Sequence, residues 1–125
     1  MTVAKKVNNY EADATGGTLW IDTQNFKCVV PTGKRWFVIG GASNRDVNAA
    51  SSVKFYTASD ELLHTVDSQA AGTGITGWPQ PVGNAGNYSG GQFIVLDAGE
   101  YINVYFAVAQ GASAYASCVV LEVDL

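Results

Sequence analysis

Side chains able to do chemistry are few in this chain, and their spacing decides what they can do. Among 125 residues there is one histidine, His64, and there are two cysteines, Cys28 and Cys118. A zinc site draws on several His or Cys ligands held close together. This inventory supplies too few, so no metal and no cofactor is expected. Ser59, Asp60 and His64 are the residue types of a nucleophilic triad. No Gly-x-Ser-x-Gly elbow accompanies them, and Ser59-Asp60 is better read as a hairpin turn. Asp97 and Glu100 bracket a glycine turn; a glycosidase would need two carboxylates facing across a cleft, roughly 5–10 Å apart. Asn44, Asp46 and Asn48 alternate like the start of a calcium loop. Ala49, however, stands where glycine belongs, and Phe55 stands where the bidentate glutamate belongs, so residues 44–48 are expected to form a solvated turn. Gly72-Thr-Gly74 lacks the strand–helix context and the Lys-Ser/Thr of a phosphate cradle. No catalytic residues are assigned, and the chain is expected not to be an enzyme.

The elements that would position these residues are short strands. Residues 18–22, 26–30, 35–41, 52–57, 62–66, 92–96, 102–108 and 117–123 alternate or run apolar between turn signals. Ile102, Val104, Phe106 and Val108 fall on one face, with Tyr101, Asn103, Tyr105 and Ala107 on the other. No ten-residue stretch carries a helical apolar stripe. About eight antiparallel strands in one small domain predict an all-β sandwich of jelly-roll type over residues 18–125. Residues 1–17 mix charges with Asn8-Asn9 and a Gly16-Gly17 turn, and are expected to form an N-terminal arm. The connection 68–91 holds Trp78, Pro79, Pro81, Val82 and Tyr88 among many glycines, so it is expected to be a long packed loop. Cys28 and Cys118 lie in β-branched runs and are read as buried free thiols.

Composition narrows the function classes. A net charge of −4 argues against nucleic acid as a partner. No apolar run approaches ~18 residues, so no membrane partner is expected. The first ten residues lack the apolar stretch of a signal peptide. Only 14% of residues are charged while 11% are aromatic, which leaves too little charge to cover a monomer in the usual way. Trp20, Tyr56, Tyr101, Tyr105 and one of Trp36 or Phe37 are expected to project outward and form an interface, since such rings concentrate where proteins meet. An alternative is a carbohydrate-binding module or receptor-binding tip. There Trp78 and Tyr88 would stack on sugars, while Asn84, Asn87 and Asp97 bond hydroxyls.

Two phrases carry a resemblance: Val30-Pro-Thr-Gly-Lys-Arg-Trp-Phe-Val38 and Leu96-Asp-Ala-Gly-Glu-Tyr-Ile102. Each is a turn feeding a strand. Together they resemble the small jelly-roll virion surface proteins of tailed bacteriophages, namely head decoration or cement proteins and knob or fibre modules. The resemblance covers mainly residues 28–42 and 94–108. It implies a structural virion protein, assembled in the host cytoplasm, that self-associates as a trimer and binds the major capsid protein or another virion protein. It supplies no catalytic residues.

Overall fold

The computed structural model describes residues 19–79 and 94–125, together with the backbone of 5–13. Among these residues there are eight strands and no helix: β1 (Lys5–Asp13), β2 (Trp20–Asp22), β3 (Asn25–Val29), β4 (Lys34–Tyr56), β5 (Leu62–Trp78), β6 (Ile94–Asp97), β7 (Tyr101–Phe106) and β8 (Tyr115–Asp124). No helix long and apolar enough to cross a membrane is therefore present among them. All the pairings are antiparallel. The pairs β1–β8, β3–β7 and β4–β6 nest one inside another, which is the wrapping of a jelly roll.

The 23-residue β4 organises the molecule. Its first part, 34–44, lies between β8 on one side and β6 and the end of β5 on the other. Its last part, 51–56, lies between β7 and the start of β5. One strand thus passes from a first sheet (β1, β8, β4, β6, end of β5) into a second (β5, β4, β7, β3, β2). The register shift between Arg45 and Ala49 marks the corner. Inward residues from both sheets form one core, including Trp36, Val38, Cys118 and Val120 from the first and Phe26, Cys28, Val53, Phe55, Ile102, Val104 and Phe106 from the second.

Three expectations about elements are corrected. Residues 5–13 form strand β1, paired with β8 along its whole length from Lys5↔Val123 to Asp13↔Tyr115. Asn44–Asn48 is not a solvated turn but the corner of β4. There Gln110, itself buried, accepts from the amides of Asp46 and Val47 through Oε1 and donates through Nε2 to the carbonyls of Val47 and Val108. The Asp46 carboxylate accepts from the amides of Gly111 and Ser113. Finally, β5 runs on to Trp78, so residues 68–78 of the expected loop are strand.

Candidate assembly surface

Of the rings expected to face outward, only Tyr105 is open, at 40% exposure, while Trp36 is buried and Phe37 half-buried. Trp20 lies directly opposite the buried Phe26 in the β2–β3 pair, so it shares the inner face. Its ring stacks on Phe106 at 5.8 Å and meets Phe26 edge-on at 5.8 Å, closing one end of the core. The neighbouring Ile21 takes the outward position. Tyr101 does point to the outer face of the second sheet but is buried by its neighbours on that face. Tyr56 stacks on it at 5.1 Å, and the Lys27 ammonium sits 4.2 Å from its ring centre. The Tyr101 hydroxyl donates to Asp60 at 2.7 Å. Burial first, and the Asp60 carboxylate second, push the phenol up to about 12. Tyr56 is half-buried by the same stack.

The residues proposed for sugar stacking divide. Trp78 is 4% exposed and belongs to the core, with its ring 6.0 Å from Phe55 in an edge contact, so it cannot present a face to a sugar. Asn84, Asn87 and Tyr88 lie outside the described residues. Asp97 is exposed and held at 2.7 Å by Arg35. Glu100 accepts from the Asp97 amide, so this pair serves a turn. Asp60 is engaged with Tyr101, while Thr57 Oγ1 accepts from the amides of Ser59 and Glu61. That geometry is a turn held by its own side chains. Among the described residues no group of three or more His, Cys, Asp or Glu side chains could hold a metal ion.

What the first sheet leaves open is aliphatic rather than aromatic. On β4 the inward residues are Trp36 and Val38, so Phe37 and Ile39 face out. Phe37 stands directly opposite Val95 on β6 and Leu121 on β8. Ile39, at 54% exposure, extends this row, and Val119 lies one outward step from Leu121 on β8. Val95 is 44% exposed, while Phe37 and Leu121 are half-buried. Beside the row runs the exposed Arg35–Asp97 ion pair. An apolar centre with a charged rim is the anatomy of a protein contact. The sequence signal was present: 36–39 reads apolar on both faces, and a strand needs only one of them for its own core.

Cys28 and Cys118, both buried and unbridged, come from opposite sheets. The neighbouring Cys28 thiol, with burial, holds the Cys118 thiol well above its ordinary value.

No protein-family profile and no curated protein matches the chain. Among solved structures it is similar to a chain in the cryo-EM structure of the giant freshwater prawn Macrobrachium rosenbergii extra small virus virus-like particle. The TM-score is 0.50 and the identity 8%, over all of this chain and 81% of that one. At such identity what the two share is the fold.

Proposed function

We propose that this chain is a non-enzymatic structural subunit of a virus particle that associates with copies of itself through the outer face of its first sheet. The observation that carries the reading is the apolar row Val95–Phe37–Leu121, with Ile39 beside it, left open on a sandwich whose own core is already filled. Burying each large side chain of such a row contributes roughly 1.5–3 kcal/mol. Several together suffice for a lateral contact between subunits. The shared fold with a chain from a virus-like particle supports the virion assignment. The phrases around Pro31 and Gly99 extend it to a decoration or cement protein of a tailed bacteriophage. On that reading the trimer is the unit, and the major capsid or another virion protein is the second partner. Light scattering on the purified chain tests association. A mass that climbs above the 13.2 kDa of one chain as concentration rises supports it, and a constant monomer mass contradicts it.

A further inference from the structure

The outer face of the second sheet differs in kind from that of the first. Register sets Ser68, Ser52, Tyr105 and Asn25 side by side across β5, β4, β7 and β3. The adjacent row is Thr65, Lys54, Asn103 and Lys27. Over the first of these rows, and running from it toward Ala50, Ser51, Gln69 and Ala107, lies a shallow depression of about 210 Å³ lined by Ser52, Ser68 and Tyr105, with Lys54 of the second row at its other edge. Ligand pockets for drug-sized molecules run to about 300–1,000 Å³, so this one suits a single ring.

The chemistry of the lining is specific. Tyr105 is the one open aromatic of the second sheet's outer face and supplies a flat apolar wall. Among the described residues, no hydrogen bond or ion pair engages the Ser52 or Ser68 hydroxyl or the Lys54 ammonium. The outward positions of β3, β4 and β7 on this face carry Lys27 and Lys54 and no carboxylate, although the chain as a whole has net charge −4. Lys27 is committed to the Tyr101 ring, which leaves Lys54 as the cation of the depression. A flat ring to stack on, two free hydroxyls and one unpaired ammonium match a sugar ring bearing an acidic group.

We infer that this depression binds a saccharide carrying a carboxylate or sulfate, with Tyr105 stacking on the apolar face of the ring and Lys54 pairing with the acid. This site is distinct from the one first expected around Trp78, and it is independent of the Phe37 face.

Amide NMR titration at millimolar 3′-sialyllactose, a heparin-derived disaccharide and neutral lactose tests it. The expected result is shifts clustered around Ser52, Lys54, Ser68 and Tyr105 with at least one acidic probe, and weaker ones with lactose. The two acidic probes separate a carboxylate from a sulfate source. Tyr105→Ala is expected to weaken binding about tenfold, as loss of one stacking contact would, while Tyr105→Phe retains it. Lys54→Gln is expected to bring the acidic probe down to the level of lactose. Clustered shifts with neither acidic probe, or binding unchanged by Tyr105→Ala, would overturn the inference. Phe37→Glu, on the opposite sheet, should leave the sugar shifts intact, so failure of the assembly reading and failure of this one are told apart.

Discussion

Gly41 lies beneath the indole of Trp78. The two residues pair across β4 and β5, and a Cβ at Gly41 would stand 2.5 Å from the Trp78 ring as well as against the carbonyl of Ser117. A Cβ at the neighbouring Gly40 would likewise stand 2.6 Å from the Trp78 carbonyl. The Gly40-Gly41 pair therefore makes the slot that lets the end of β5 fold its tryptophan into the core. Gly41→Ala should destabilise the fold by about 2 kcal/mol or more, because backbone and a fixed ring must both move. Urea unfolding checks this, and an unchanged midpoint would contradict it.

Trp78 itself separates packing from recognition. Trp78→Ala should cost about 3–5 kcal/mol, the usual loss for deleting a buried large aromatic. The saccharide shifts at Tyr105 should survive wherever the variant remains folded. Thermal unfolding and the same NMR titration, run side by side, distinguish this from a Trp78 sugar site.

Gln110 tests the corner. All of its amide group is used, holding Asp46, Val47 and Val108. Gln110→Ala leaves those groups without partners at the bend where β4 changes sheets, a loss of about 2–4 kcal/mol. Hydrogen exchange should quicken first at the Asp46 and Val47 amides. Uniform loss of protection across the chain would argue against a local role.

Asp67 gives the pH dependence. It is 1% exposed, and burial raises its carboxyl above the ordinary 3.8 against the opposing pulls of Gln69, the Ser68 amide and Arg45. The folded state therefore holds this proton more tightly than the unfolded state. The contribution is full below 3.8 and is lost as pH rises through the folded value. Asp67→Asn should remove that decline and be at least as stable as wild type at neutral pH. Urea midpoints from acid to neutral pH check the slope, and parallel profiles would contradict it.

The fold was largely legible from period and turns. The set Ile102, Val104, Phe106 is buried as its alternation demands, and Val108 is open because β7 ends at Phe106. Less legible were places where polarity serves the interior. Arg45 looks like a turn residue, yet it is 7% exposed and its Nη1 donates to the carbonyls of Ala49 and Ala70 across the bend. The face of Trp20 was misread for a different reason. In a strand as short as β2, parity cannot be told from three residues. Trp20 was expected to face outward, the reverse of its register with Phe26. Tyr101 was assigned to the correct face but not to its cover, because Tyr56 and Lys27 reach it only through cross-strand pairing.

Sedimentation equilibrium on wild type, Phe37→Glu and Val95→Glu is the most direct test of the assembly claim. Because both side chains already face outward, the variants should keep the wild-type unfolding free energy to within about 1 kcal/mol. The account predicts that wild type forms assemblies above the monomer mass and that either charge substitution returns it to 13.2 kDa. A wild type that stays monomeric at its highest soluble concentration, or variants that associate as strongly as wild type, would contradict it.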